Sequence, residues 1–113
     1  MAGIYIHIPF CKSRCKYCDF FSTTHIEKQA QYVEALLTEM QDRLPISNTH
    51  FPISTIYIGG GTPSTLQVEH LQTILKTIKQ KATGEKQEIT LEANPGDITP
   101  EKARAWRELG INR

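Results

Sequence analysis

Ser54-Thr55-Ile56-Tyr57-Ile58-Gly59-Gly60-Gly61-Thr62-Pro63-Ser64 passes from strand-forming residues straight into a run of glycines. Ser54 to Ile58 is short and rich in β-branched side chains, which suits a strand. Three glycines and a Thr-Pro follow with no spacer, and that is turn chemistry. From about Gln67 to Lys81, Val68, Leu71, Leu75 and Ile78 recur at spacings of three and four, the signature of a helix with one buried stripe. Gly84 marks its exit. The stretch is therefore the hinge of a strand-turn-helix unit.

The same unit lies on either side. Upstream, Gly3 to Ile8 alternates, with Ile4, Ile6 and Ile8 on one face and Tyr5 and His7 on the other, which predicts a strand. A polar loop from Pro9 to Thr24 follows, and Thr24-His25-Ile26-Glu27 reads as a capping box that starts a helix. Ile26, Ala30, Val33, Leu37, Met40 and Leu44 form its apolar stripe, Pro45 ends it, and Asn48 to Pro52 is a connector. Downstream, Glu88 to Glu92 is a third strand with Ile89 and Leu91 turned inward, and Asn94-Pro95-Gly96-Asp97 is a turn. Thr99 caps a third helix with Pro100 at its first position and Glu101 in its first turn. Gly110 closes that helix, and Ile111-Asn112-Arg113 runs toward a fourth strand.

Alternating βα units predict an α/β fold with a parallel sheet and right-handed crossovers. Ligands in such folds bind at the C-terminal ends of the strands. A cysteine-bearing loop follows the first strand, the triple glycine follows the second, and Glu92 closes the third. Three unusual features thus fall on one rim of the sheet.

Composition sets the outer bounds. The chain has 113 residues, 39% apolar and 22% charged, with a net charge of +1, which fits one ordinary globular domain. No basic block points to nucleic acid, and no repeat or low-complexity tract is present. The longest apolar run, Gly3 to Phe10, is interrupted by His7 and Pro9 and is far short of the roughly 20 residues a bilayer needs. It lacks the basic flank and small-residue cleavage site of a secretory signal, so the expected location is the cytoplasm.

All three cysteines, Cys11, Cys15 and Cys18, lie in one short stretch as Cys-x3-Cys-x2-Cys. A disulfide scaffold would spread an even number along the chain. Ordinary iron–sulfur clusters take four cysteine ligands. Three thiolates would leave one iron of a [4Fe–4S] cube without a protein ligand, an open position for a substrate or cofactor. Lys12, Arg14 and Lys16 read either as a solvated loop or as an offset to the cluster's negative charge. A zinc site with His7 or His25 as fourth ligand and three free thiols are the other readings of this spacing.

Cys-x3-Cys-x2-Cys with Tyr17 before its last cysteine resembles the signature of the radical S-adenosylmethionine (SAM) superfamily. Tyr5-Ile6-His7-Ile8-Pro9-Phe10-Cys11, Gly59-Gly60-Gly61-Thr62-Pro63-Ser64 and Leu91-Glu92-Ala93-Asn94-Pro95 resemble the motifs of one branch of it. That branch holds the oxygen-independent coproporphyrinogen III dehydrogenases and the HemW-type heme chaperones. The resemblance covers essentially the whole chain. It implies the first three βα units of a partial (β/α)6 barrel, with residues 1–113 as the N-terminal part of the radical SAM core and the rest of the barrel downstream. It implies a [4Fe–4S] cluster held by Cys11, Cys15 and Cys18, with SAM bound to the open iron and cleaved by one electron to a 5′-deoxyadenosyl radical. Tyr17 would contact the adenine, and Tyr5 would line the SAM site. Gly59, Gly60, Gly61 and Thr62 would meet the methionyl end, and Glu92 would hold the ammonium or ribose. For His7, a structural hydrogen bond and a site role both stay open, and for Glu92 a solvated strand-end carboxylate is the alternative. No catalytic residue is assigned.

The glycine motif lacks the Lys of a phosphate-binding P-loop. Its glycines are expected to let the backbone approach a ligand closely. The branch divides two residues after Cys18. The dehydrogenases resembled carry a cysteine there, and this chain has Phe20 within Asp19-Phe20-Phe21-Ser22, the pattern of the chaperones. The chaperone reading implies heme bound mainly by regions beyond this chain. Its partners would be heme or a porphyrin, a flavodoxin-like electron donor and heme-accepting proteins, with membrane contact only through those clients. The alternative is a dehydrogenase that decarboxylates a porphyrinogen propionate.

Overall fold

The computed structural model of the chain describes residues 2–10, 28–43, 53–81 and 87–113. Its elements are β1 (Ala2–Ile8), α1 (Gln29–Arg43), β2 (Ile53–Gly60), a 3-10 turn at Pro63–Thr65, α2 (Val68–Lys81), β3 (Glu88–Leu91), a 3-10 turn at Pro95–Asp97 and α3 (Pro100–Glu108). The strands form one parallel sheet in the order β1-β2-β3. Sequential strands lie side by side, as in the wall of a β/α barrel.

Parallel register puts side chains of equal height on the same face. Tyr5 stands opposite Tyr57, His7 opposite Gly59, and Ile58 opposite Leu91. Ile6, Ile8, Ile56, Ile58, Ile89 and Leu91 are buried in one core with Val33 and Met40 of α1, Leu71, Ile74, Leu75 and Ile78 of α2, and Trp106 of α3. The helices therefore cover the isoleucine face. The other face is open, and its large side chains, Tyr5 and Tyr57, are 59% and 41% exposed.

The expected elements are present with three corrections. First, β2 extends through Gly59 and Gly60, which pair with His7 and Ile8, so two residues of the glycine motif are strand rather than turn. Second, Ala30 of the expected α1 stripe is exposed, and Gln29 is buried in its stead. The Gln29 amide donates to the Thr65 carbonyl at 3.0 Å and accepts from the Gln67 N–H at 3.4 Å, so the 3-10 turn satisfies its polar atoms. Third, residues 111–113 are not a regular strand, yet they occupy the outer edge of β3. Arg113 N–H donates to the Ile89 carbonyl at 3.1 Å, and Leu91 N–H donates to the Arg113 carbonyl at 2.9 Å. These are the two bonds of a parallel bridge with Thr90 opposite Arg113.

Both ends of α3 follow their sequence signals. Thr99 Oγ1 accepts from the Lys102 N–H at 3.1 Å, and Gly110 takes φ +100° just past the helix. The capping box at 24–27, Leu44, Pro45, the connector and Gly84 lie outside the described residues. Among the described residues, no helix is long and apolar enough to cross a membrane.

Candidate cofactor site

The rim of the sheet is assembled by backbone bonds between the ends of the strands. Beyond β1, Ile8 C=O accepts from the Gly61 N–H at 2.9 Å, and Phe10 C=O accepts from the Thr62 N–H at 2.6 Å. Phe10 is buried, with its ring edge-on to Tyr32 at 5.5 Å and 89°. The Tyr32 hydroxyl donates to the His7 carbonyl. The stem that leads into Cys11 is thus tied to the glycine motif by two hydrogen bonds and to α1 by an aromatic contact.

Two of the glycines answer to different neighbours. Gly60 has φ +116°, and a β-carbon on it would lie 2.8 Å from the Ile8 carbonyl oxygen. Only glycine fits that conformation at that spacing. A β-carbon on Gly59 would lie 2.3 Å from Glu92 Oε1 and 2.7 Å from the Tyr57 ring. The expected reason for these glycines is the approach of a ligand; the structure gives the space at Gly59 to Glu92 and Tyr57, and the space at Gly60 to β1.

Glu92 follows β3 directly, its N–H donating to the Ile58 carbonyl at 3.0 Å. Its side chain crosses the end of β2 and accepts the Gly60 N–H at 3.0 Å through Oε1. The carboxylate is therefore anchored by the strand but still exposed to solvent. Tyr57 stands beside it. Partial desolvation first, then the Glu92 charge and a hydrogen bond to Glu92, push its phenol above the usual value of 10.0. Tyr57 stacks on Tyr5 at 5.8 Å and 20°, and Tyr5 Oη lies 3.3 Å from His7 Nδ1. Tyr5, His7, Tyr57 and Glu92 thus form one polar-aromatic strip on the open face.

A pocket of about 190 Å³ opens at the strand ends, lined by Gly61, Thr62, Pro63, Glu92, Ala93 and Asn94. It offers one carboxylate and a wall without a β-carbon at Gly61, and these suit the ammonium group of an amino-acid-like ligand. The structure brings Gly59, Gly60, Gly61, Thr62 and Glu92 to one rim, with Tyr5 lower on the open face of β1 opposite Tyr57. Cys11, Cys15, Cys18 and Tyr17 lie outside the described residues, as do His25 and Phe20. Among the described residues, no group of three His, Cys, Asp or Glu side chains is placed to hold a metal ion.

Two contributors escape the sequence reading. Tyr57 is legible by its period: it shares the Gly59 face of β2, opposite Ile56 and Ile58. The other is a buried pair beside the pocket, Ser64 Oγ donating to Asp97 Oδ2 at 3.0 Å. Nothing in the local pattern distinguishes Asp97 from an ordinary turn residue.

The family model described as the radical SAM superfamily matches residues 5–113. The heme chaperone HemW of Bacillus subtilis (strain 168) is 41% identical over 100% of this chain and 30% of its own length. HemW of Escherichia coli (strain K12) is 36% identical over 98% of this chain and 30% of its own length. The chain therefore spans about 30% of the length of these relatives. Among solved structures, coproporphyrinogen III oxidase (HemN) of Escherichia coli, a radical SAM enzyme, superposes with a TM-score of 0.88 at 30% identity, over 98% of this chain and 26% of its own.

Proposed function

This chain belongs to the radical SAM superfamily, and from that premise we propose that it is the N-terminal part of the radical SAM core of a HemW-type heme chaperone. Membership of the superfamily implies a [4Fe–4S] cluster and SAM. In this reading Cys11, Cys15 and Cys18 hold the cluster and Tyr17 contacts the adenine. Tyr5 lines the site, Gly59, Gly60, Gly61 and Thr62 receive the methionyl end, and Glu92 binds the ammonium or ribose. When bound, cluster and SAM supply one-electron reductive chemistry; the protein positions and shields it.

The observation that carries the reading is the seam between Phe10 and Thr62. It puts the stem of the cysteine loop and the pocket beside Glu92 on one rim. The chain's own groups do the positioning. Gly60 N–H holds Glu92 in place, and the unsubstituted Gly59 leaves room for the carboxylate to lie across the strand.

Phe20 separates the two readings of function. Phenylalanine neither ligates metal nor donates a hydrogen atom, so any step that needs sulfur at that place is closed to this chain. Similarity to proteins named heme chaperones supports the same choice. We place heme binding mainly in regions beyond this chain, the location in the cytoplasm, and the partners as an electron donor such as a flavodoxin-like protein and heme-accepting clients, the latter providing any membrane contact. The test is an anaerobic assay of the full-length protein with SAM, reductant and coproporphyrinogen III, beside a heme titration. Heme bound at about one per chain without porphyrinogen turnover is expected. Protoporphyrinogen formed over many turnovers would establish the dehydrogenase instead.

A further inference from the structure

We propose that Ser64 and Asp97 are positioning residues that set the separation between the two walls of the SAM pocket; the inference rests on the reading of that pocket as a SAM site. The walls come from different βα units. Thr62 and Pro63 follow β2, whereas Ala93 and Asn94 follow β3. Ser64 is completely buried and Asp97 is 4% exposed, and neither is a lining residue.

Ser64 Oγ donates to Asp97 Oδ2 at 3.0 Å and accepts the Asn94 N–H at 3.2 Å. A serine hydroxyl has a single proton. With that proton committed to the carboxylate, the oxygen lone pairs turn toward Asn94. Asp97 thus fixes the direction of the bond that joins the walls. Its own turn is held in place, because Asn94 Oδ1 accepts the Gly96 N–H at 3.1 Å and Asp97 N–H donates to the Asn94 carbonyl at 2.8 Å. Lys102 Nζ lies 3.5 Å from the Ser64 carbonyl on the other side.

A buried carboxylate is a costly way to fasten two turns, since its desolvation offsets much of what its hydrogen bonds return. Apolar packing would serve stability equally well. What the carboxylate adds is direction: one orientation of one hydroxyl, and so one distance between Thr62 and Asn94 across the pocket.

The test uses anaerobically reconstituted full-length protein, with equilibrium binding of radiolabelled SAM and the electron paramagnetic resonance spectrum of the reduced cluster. Ser64→Ala and Asp97→Ala are expected to raise the SAM dissociation constant about tenfold. The cluster content and the SAM-free spectrum should stay unchanged. Asp97→Asn, whose amide oxygen still accepts from Ser64, should restore most of the affinity. If Asp97→Ala does not fold, Ser64→Ala, which loses a single oxygen, carries the test. Wild-type affinity in Ser64→Ala would overturn the positioning role alone. Failure of the wild-type protein itself to bind SAM would overturn the SAM site and, with it, this role.

Discussion

A β-carbon at position 59 would meet Glu92 Oε1 at 2.3 Å and the Tyr57 ring at 2.7 Å, both of them movable side chains. Gly59→Ala is therefore expected to leave the strand folded while pushing Glu92 off the Gly60 N–H. A SAM titration of the variant should show affinity weakened by roughly tenfold, the scale of one charge-assisted hydrogen bond; unchanged affinity would remove Glu92 from the site. Gly60→Val is a poorer probe. Its strained φ and the 2.8 Å approach to a backbone carbonyl damage the β1–β2 seam whether or not SAM binds there. Tyr32, on α1, gives the fold a pH dependence. Burial first, then Glu39 and Tyr5, raise the Tyr32 phenol above its usual 10.0. A phenol that holds its proton more tightly when folded contributes stability below the unfolded value, and that contribution is lost as pH rises through the folded one. Denaturant midpoints should accordingly fall as pH climbs above about 10. Tyr32→Phe should flatten that decline at a cost of about 1 kcal/mol near neutrality, for its lost bond to His7.

Ile58 is fully buried on the central strand, and Thr99 is the cap of α3, so the elements they belong to make separable predictions. Ile58→Ala should cost 2–5 kcal/mol, as about expected for a large-to-small change in a closed core. Thr99→Ala should cost about 1 kcal/mol, because only one orphan N–H loses its partner; urea denaturation of both variants checks the ordering. Strand alternation and most of the α2 stripe were legible from their periods, and the Thr99 cap and the Gly110 stop from local chemistry; Val68 is only half-buried, and Ile74, absent from the expected stripe, is fully buried. The placement of Gly59 and Gly60 in β2 was not legible, since pairing with β1 rather than propensity decides it. Gln29 likewise displaces Ala30 from the buried face only because the Thr65 carbonyl and the Gln67 N–H await its amide. The rim of the candidate site was legible from topology, which puts every strand's C-terminal end on one side. The Ser64–Asp97 pair joins positions 33 apart and has no signature in either segment.

At the scale of the whole molecule, the three-stranded sheet is covered on one face and open on the other, where Tyr5 and Tyr57 are exposed. Among the described residues, the outer edge of β1 has no strand beside it. In the proposed longer protein, further barrel strands enclose that face. The 113-residue chain alone is therefore expected to aggregate or to lack a cooperative transition in calorimetry. A monomeric, cooperative transition would instead mark these residues as a self-sufficient domain. The proposed function requires a cluster at Cys11, Cys15 and Cys18 with an iron open to SAM. Iron and sulfide analysis of the anaerobically reconstituted full-length protein, joined to paramagnetic resonance of its reduced form with and without SAM, tests that most directly. One [4Fe–4S] cluster per chain is expected, with a spectrum changed by SAM and loss of the cluster on replacing any of the three cysteines by alanine. Stoichiometric, tightly held zinc under the same conditions, or a cluster whose spectrum ignores SAM, would contradict it.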